Sequence, residues 1–373
     1  FLAASIAMLL GTILFYFLKN KYVVSPEGKP LGGLPSKNES SDYEEGEAQK
    51  AVFTPTALAL AVASFVGLFL LFHFSVDGDN VVKTIIYPII YASGITLAGL
   101  ILSDSSLTKI ERDRILVIYI VSFFIIFFWA AFEQAGSSLT FIADNQTDRT
   151  FMFGWQMPAS MVQIFNGLFV VILAVPFSML WDRLRAKEKE PISPFKLALG
   201  LFLITVSFFM IANQVKGLGT SGLLAVKWLI LLYFLNTCAE LCLSPIGLSL
   251  VGKLSPKRFA SLLYGVFFLS NASGYALGGT LGSILPATGD KFDKAKALGI
   301  DLQPILDKKI TPTAEQLKLL ADNQISDHNP IFAGFEIHNL FEFFMVFVVL
   351  TGIASVILFA LTPFLKKMMH GIR

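Results

Sequence analysis

The chain has 373 residues, of which 54% are hydrophobic and only 15% are charged, and its mean hydropathy is +0.67. A soluble globular domain is much less apolar, so this composition predicts an all-α polytopic membrane protein. The formal net charge of +2 excludes a strongly basic surface for nucleic acid, and the two cysteines, Cys238 and Cys242, form no disulfide framework or redox motif.

Nine apolar stretches are long enough to cross a hydrocarbon core of about 30 Å as helices. In chain order they lie near 1–18, 54–76, 84–103, 114–136, 157–181, 194–213, 224–251, 260–284 and 336–364. The segment 19–52, rich in Pro, Gly, Ser and Glu, predicts a flexible cytoplasmic linker. The chain opens directly in an apolar stretch without an initiator Met or a basic leader, so we expect a fragment that begins partway through a larger protein.

Lys and Arg are distributed unequally between the two sides of the predicted helices. Most of them fall in the segments 19–52, 105–113, 182–193 and 252–258 and in the tail after 364, whereas the opposite short loops hold only Lys83, Arg149 and Lys216. The positive-inside rule therefore predicts a cytoplasmic C-terminus. The polar stretch 285–335 lies on the external side; a surface loop is the favoured prediction, and a short amphipathic helix over "TAEQLKLLADN" is the alternative.

The stretch 224–251 carries a polar stripe on an otherwise apolar helix. The stripe has members at every third or fourth position: Tyr233, Asn236, Glu240, Ser244 and Gly247. Glu240 lies close to the bilayer midplane, and Pro245 leaves the carbonyl of Leu241 without its helical donor. A carboxylate at this depth must be protonated, paired or hydrated. It either pairs with a structural Lys or Arg on another helix or forms part of a substrate or proton pathway; we favour the pathway.

Glu133 lies near the outer end of the stretch 114–136, with Trp129 one turn below it. It is either an interfacial acid that reaches water or half of an ion pair that closes an external gate. Asn166, which shares a stripe with Ser160 and Gln163, and Asn271 lie at comparable depth. Each amide could bind a substrate amine or carbonyl, or make an interhelical contact.

Other features indicate packing or exclude function classes. Gly274, Gly278 and Gly282 form a ladder that predicts close helix packing or a bending point, and Cys238 and Cys242 are predicted to be packing residues. The four histidines have no ligand spacing, and the chain lacks a P-loop, GxSxG or HExxH motif. We therefore expect neither a metal site nor a cofactor, and no enzyme.

Four segments resemble helices 7, 8, 10 and 11 of the proton-dependent oligopeptide transporter family, a branch of the major facilitator superfamily. In chain order they are "FWAAFEQAGSSL", "PASMVQIFNGLF", "NTCAELCLSPIGLSLVGKLSPKRF" and "FFLSNASG". Bacterial members have two linker helices between two six-helix halves. The resemblance implies that 1–18 is the last helix of the N-terminal half, 53–104 the linker hairpin and 105–373 the C-terminal six-helix bundle, with the N-terminal half missing.

The resemblance also implies roles for individual residues. Glu240 would receive the amino terminus of a di- or tripeptide with help from Asn166, and Glu133 would pair with an arginine of the missing half at the external gate. Trp129, Phe268 and Asn271 would line the side-chain pocket. Tyr233 and Asn236, which share the stripe of Glu240, are also predicted to bind the substrate. Phe267 departs from the Trp that is common in members. The proton-coupling ExxER motif and the basic residues expected to hold the substrate carboxylate would lie before residue 1.

The sequence thus predicts proton-coupled symport of di- and tripeptides across the cytoplasmic membrane by alternating access. Its partners would be the peptide, protons, the lipid bilayer and the missing half, and this chain alone should not transport. One alternative is a transporter of the same fold for another solute, such as nitrate or a drug-like compound. A membrane receptor or scaffold that does not transport is the other alternative.

Overall fold

The computed structural model describes residues 2–24, 28, 51–75, 80–219 and 222–372. Contacts divide the chain into two units, 1–49 and 50–373, which we describe separately. The first unit contains helix α1, Leu2–Tyr22, which continues past the predicted end at 18. Most of the predicted linker 19–52 lies outside the described residues.

Long apolar runs become helices because a backbone in lipid must satisfy its own hydrogen bonds. The long helices of the second unit are α2 Pro55–Phe74, α3 Tyr87–Leu102, α4 Lys109–Phe132, α6 Ile164–Ala186, α7 Ser193–Val215, α8 Val226–Leu254, α9 Ala260–Gly282 and α13 Leu340–Met368, and a short helix α5, Ser138–Asn145, follows α4. A π-helical turn, Val82–Ile86, leads into α3. All nine predicted apolar stretches therefore contain a helix.

Seven helical segments of the described residues are long and apolar enough to span a membrane. Helix α9 falls outside this set. The middle of α9 reads "SNASG", which lowers its hydropathy.

Helix α7 packs between α8 and α13, and α4 packs against α9 and α13. The rings of Phe208 in α7 and Phe347 in α13 stack with centroids 4.9 Å apart. The hairpin of α2 and α3 contacts the bundle through α3 and α9, whereas α6 packs along α8 and has no buried residue among those described. The bundle is thus closed on the α7 side and open along α6.

The predicted glycine ladder is confirmed as a close-packing surface. A Cβ built at Gly274 would lie 2.6 Å from the Cβ of Trp129 and 2.9 Å from the carbonyl oxygen of Ile126. A Cβ at Gly278 would lie 3.1 Å from the carbonyl oxygen of Ala130. Glycine is therefore what allows α9 to approach the backbone of α4.

The surface loop predicted for 285–335 is wrong. This stretch forms helices α10 Gly289–Ala297, α11 Leu302–Leu306 and α12 Ala314–Asp322, and strand β3 Ile331–Phe332 pairs antiparallel with β4 Phe335–Glu336. A capping box of Thr313 and Gln316 starts α12. The helices share a small hydrophobic core made of Ala295, Ile300, Leu302, Ile305, Leu306, Leu320 and Ile325. We call this stretch the accessory body.

Gln146 joins three parts of the fold at one end of the bundle. The parallel strands β1 Thr147–Asp148 and β2 Leu224–Ala225 pair beside it. Its Nε2 donates to the carbonyl oxygen of Gly222 at 2.7 Å, and its Oε1 accepts from the backbone N–H of Gly289 at 3.0 Å. The end of α5, the start of α8 and the accessory body are therefore held together.

Candidate functional site

Helices α6 and α8 bring Asn166 and Glu240 together. The Nδ2 of Asn166 donates to Glu240 Oε2 at 3.4 Å and to Thr237 Oγ1 at 3.1 Å. Thr237 in turn donates to the carbonyl oxygen of Tyr233 at 2.8 Å, one turn back along α8. The amide of Asn166 is thereby oriented by α8, and it presents the carboxylate of Glu240 beside the open face of α6.

Within the part of the chain that the structure describes, the carboxylate of Glu240 has no Lys, Arg or His nitrogen within 4 Å. Glu240 is half-buried in a helix long and apolar enough to span a membrane. A carboxylate in such a place needs a proton, water or an incoming cation. The arrangement can therefore bind a positively charged group or exchange a proton for it.

Glu133 lies where α4 stops being a regular α-helix. It caps α4 and starts a 3₁₀ turn, Glu133–Gly136, which leads into α5. Gln134 is fully buried beside it, and its Nε2 donates to the carbonyl oxygens of Ala130 and Gly278 at 2.9 Å each. Its Oε1 accepts from Ser138 at 2.6 Å. These bonds join the break to α9 and to the start of α5, and they hold the backbone beside Glu133 in place.

Trp129 lies one turn before Glu133 and is almost completely buried. Its ring contacts Phe128 and Phe132 in α4 and Tyr275 in α9, with the Trp129 and Tyr275 centroids 5.8 Å apart. Among the described residues, no partner accepts a hydrogen bond from its Nε1. The indole is thus held rigidly by aromatic neighbours.

Helix α4, whose end carries Glu133, contacts α8, which carries Glu240. The structure therefore places the two predicted acids on neighbouring helices, and Trp129 of α4 contacts Tyr275 of α9. Carboxylates on neighbouring helices favour the approach of positive charge.

The other site residues predicted from the sequence differ in how far they are exposed. Tyr233 and Asn236 are 3% and 1% exposed, so they belong to the interior, whereas Phe268 is 53% exposed. The Oδ1 atoms of Asn236 and Asn271 are buried without a hydrogen-bond partner among the described residues. Phe267, which stands where a Trp is common, is buried against Gly247: a Cβ built there would lie 2.9 Å from its ring.

The predicted stripe of Ser160, Gln163 and Asn166 spans a 3₁₀ turn and the start of α6. Ser160 lies in the turn Ala159–Met161, and α6 begins at Ile164. Val162 and Gln163, between the turn and α6, keep right-handed helical backbone angles. The backbone is therefore helical throughout the stripe, with a first turn tighter than that of an α-helix.

Sequence reasoning assigned no role to Thr237, Gln134 or Tyr275. Thr237 precedes Glu240 by one turn, so helical spacing alone could have indicated it. The partners of Gln134 and Tyr275 lie on different helices, and no signal in the sequence indicates them.

A second polar cluster lies at the other end of α6. Glu190 accepts hydrogen bonds from Arg185 at 2.7 Å and from the buried Lys196 at 2.5 Å. Hydrogen bonds from these two cations lower the pKa of Glu190 from 4.5 to about 2, and the bond from Arg185 contributes most. Lys196 also lies 4.5 Å above the ring of Trp181. The charge of Glu190 is therefore already balanced by cations, and the pair with Lys196 connects the loop after α6 to α7.

Comparison with known proteins supports one family. The sequence pattern of the POT family matches residues 77–296. The chain is 30% identical over 246 residues to the peptide transporter YePEPT of Yersinia enterocolitica, covering 65% of this chain and 47% of the relative. It is 28% identical to a di-/tripeptide transporter of Lactococcus lactis, covering 67% of this chain and 50% of that protein.

Solved structures show the same fold. A POT family transporter in complex with 5-aminolevulinic acid aligns with a TM-score of 0.61 and 24% identity, over 98% of this chain and 62% of the other. A peptide transporter POT in complex with sulfate aligns with a TM-score of 0.60 over similar shares. The fold is therefore that of the major facilitator superfamily. The chain spans about half the length of the curated relatives it matches.

Proposed function

Because this chain belongs to the POT family, we propose that it supplies the C-terminal half of the binding site of a proton-coupled symporter for di- and tripeptides. The other half would come from the six N-terminal helices typical of such transporters, and alternating access would take place between the halves. The protein would lie in the cytoplasmic membrane with its C-terminus in the cytoplasm, as the distribution of Lys and Arg indicates.

The observation that carries the proposal is the pair of Glu240 and Asn166. A peptide ammonium can donate to the Glu240 carboxylate, which has no cation within 4 Å among the described residues, and to the free carbonyl oxygen of the Asn166 amide. Because the ammonium and a proton compete for this carboxylate, the co-transported proton would be carried by a different group, in the N-terminal half.

We assign the other predicted residues to the surroundings of Glu240 and Asn166. Trp129, Phe268 and Asn271 would line the space for peptide side chains, and Tyr233 and Asn236 would support α8 from the interior side. Apolar walls with few fixed polar partners accept many side chains. Glu133 would pair with an arginine of the N-terminal half when the external side closes.

The test is proton-driven uptake of radiolabelled Ala-Ala by the full-length protein in liposomes. Glu240→Gln keeps the size of the side chain but cannot ionise, so uptake should fall by roughly tenfold or more. Glu188→Gln, a change of an exposed acid in the loop after α6, is the matched control and should leave uptake unchanged. Failure of the unaltered protein to take up any dipeptide would contradict the proposed function.

A competitor without an amino terminus separates the role of Glu240 from a general defect. N-acetylated Ala-Ala should compete weakly against uptake by the unaltered protein, because it offers no ammonium. If Glu240→Gln transports Ala-Ala normally, the amine site must lie elsewhere. Glu133→Gln should change the maximal rate more than the half-saturating concentration, and an unchanged rate would argue against a gating role.

A further inference from the structure

Thr237 holds the side-chain amide of Asn166 in one of its two possible orientations. A primary amide carries an NH₂ group and a carbonyl oxygen, and a half-turn about the bond that attaches it exchanges the two. The Nδ2 of Asn166 faces Thr237 Oγ1 at 3.1 Å and Glu240 Oε2 at 3.4 Å. The bond to Thr237 is the shorter one, and Thr237 is fully buried in α8.

The hydroxyl of Thr237 can only accept a hydrogen bond from Asn166. Its single proton is donated to the carbonyl oxygen of Tyr233 at 2.8 Å, and a carbonyl oxygen accepts but cannot donate. The group of α6 that meets the Thr237 oxygen must therefore carry N–H. An ionised Glu240 also requires N–H, but a protonated one could donate to the amide oxygen instead. Thr237 thus imposes the same orientation in both protonation states of the acid.

The orientation of the amide decides what the site offers to a ligand. With Nδ2 turned toward α8, the Oδ1 atom of Asn166 is left for the ligand, since nothing among the described residues donates to it. A carbonyl oxygen beside a carboxylate suits an ammonium, which has three donors and no acceptor. The opposite orientation would present N–H, which suits the carbonyl oxygen of an acylated amino terminus.

We propose that Thr237 is a specificity-determining residue: it keeps the carbonyl oxygen of Asn166 available to the ligand, so that the site selects a free ammonium over an acylated amino terminus. This role rests on the amine site proposed above for Glu240 and Asn166. Thr237 acts by positioning Asn166 and does not contact the peptide. The expected sign of this role is a changed ratio of affinities for two ligands, which a general loss of stability would not produce.

The test compares the dissociation constants of Ala-Ala and N-acetylated Ala-Ala, measured by microscale thermophoresis on the purified full-length protein. Thr237→Val removes the hydroxyl at almost constant volume and leaves the backbone hydrogen bonds of α8 in place. The amide is then free to turn, so the preference for Ala-Ala over the acetylated peptide should fall by roughly three- to tenfold. Thr237→Ser keeps the hydroxyl and should retain the preference of the unaltered protein.

Thr362→Val is the matched control. The Oγ1 of Thr362 makes the same kind of intrahelical bond, to the carbonyl oxygen of Leu358 at 2.9 Å, but this residue lies in α13. Loss of that bond should leave the ratio of the two dissociation constants unchanged.

Asn166→Leu distinguishes positioning from packing. This variant has no amide to orient, so adding Thr237→Val to it should change neither dissociation constant further. An unchanged ratio in Thr237→Val, or a further change in the double variant, would overturn the role of Thr237 and leave the amine site in place. If the unaltered protein binds no Ala-Ala, or binds the acetylated peptide equally well, the amine site itself is contradicted and the role of Thr237 with it.

Discussion

At the residue scale, Gln134 explains why Glu133 is where it is. A regular helix through 132–136 would carry Glu133 onward with α4, whereas Gln134 bonds to α9 and to the start of α5 and stabilises the break. One buried amide thus determines the direction of the neighbouring carboxylate. The gating role proposed for Glu133 depends on this support.

Gln134→Leu should lower the free energy of unfolding by about 1–3 kcal/mol, because the Ser138 hydroxyl and the Gly278 carbonyl would lose a buried partner. Thermal unfolding of the purified protein in detergent measures this. Gln163→Leu, a change of the exposed amide that donates to Thr140, is the control and should shift the melting temperature little. Equal melting temperatures for the two variants would contradict the role given to Gln134.

Glu190 makes the stability of the folded protein depend on pH, and the direction of the effect follows from its lowered pKa. Its pKa is lowered in the folded protein to about 2 by Arg185 and Lys196, so its contribution to stability is full above the ordinary value of 4.5. The contribution is lost as the pH falls through the folded pKa. Glu190→Gln should therefore be less stable than the unaltered protein at pH 7, and the difference should shrink between about pH 5 and pH 2.

The measurement is the melting temperature as a function of pH for both proteins. Glu188→Gln in the same loop is the control for removal of a nearby exposed carboxylate. Because Arg185 is well exposed, we expect an effect of about 1–2 kcal/mol at neutral pH. A Glu190→Gln difference that grows on acidification would reverse the assigned sign.

At the element scale, the contact of α4 with α9 depends on the absence of side chains. Gly274→Ala gains helix propensity but places a Cβ 2.6 Å from that of Trp129, so it should lower the free energy of unfolding by about 1–3 kcal/mol. Gly265→Ala on the same helix meets no atom within 4 Å and should be neutral or slightly stabilising. Melting temperatures of the two variants test this, and a Gly274→Ala protein as stable as Gly265→Ala would show that the helices can separate freely.

Element positions were largely predictable from the sequence, because nine apolar runs have few other options in a bilayer. The exact ends of the helices were less predictable. The start of α6 was missed because Pro158 initiates a separate turn, and the accessory body because its core pairs residues far apart in a polar stretch. The pairing of Glu240 with Asn166 followed from the family resemblance. The contacts of Gln134 with Gly278 and of Trp129 with Tyr275 join α4 to α9, and spacing along one helix cannot indicate them.

At the scale of the whole molecule, one buried ion pair connects distant parts of the chain. Arg258, between α8 and α9, binds both carboxylate oxygens of Glu111 at the start of α4, at 2.6 and 3.0 Å. Glu111 also completes the capping box of α4 with Thr108. The pair therefore anchors the end of the α8–α9 hairpin to the helix that carries Glu133.

Arg258→Met should lower the free energy of unfolding by about 3 kcal/mol, because it leaves the charge of Glu111 without its partner. Lys366→Met in the exposed last turn of α13 is the control for loss of a positive charge. Adding Glu111→Leu to Arg258→Met should cost less than the sum of the single changes, measured by thermal unfolding. Additive losses would show that the two side chains act independently.

The accessory body has a practical consequence for imaging. Membrane proteins with little mass outside the detergent belt are difficult to orient in single-particle electron microscopy. Here α10, α11 and α12 share their own core, and Gln146 bonds the start of α10 to the end of the bundle. An antibody fragment raised against this stretch would therefore provide an alignment marker with little freedom to move, away from the proposed pair of Glu240 and Asn166.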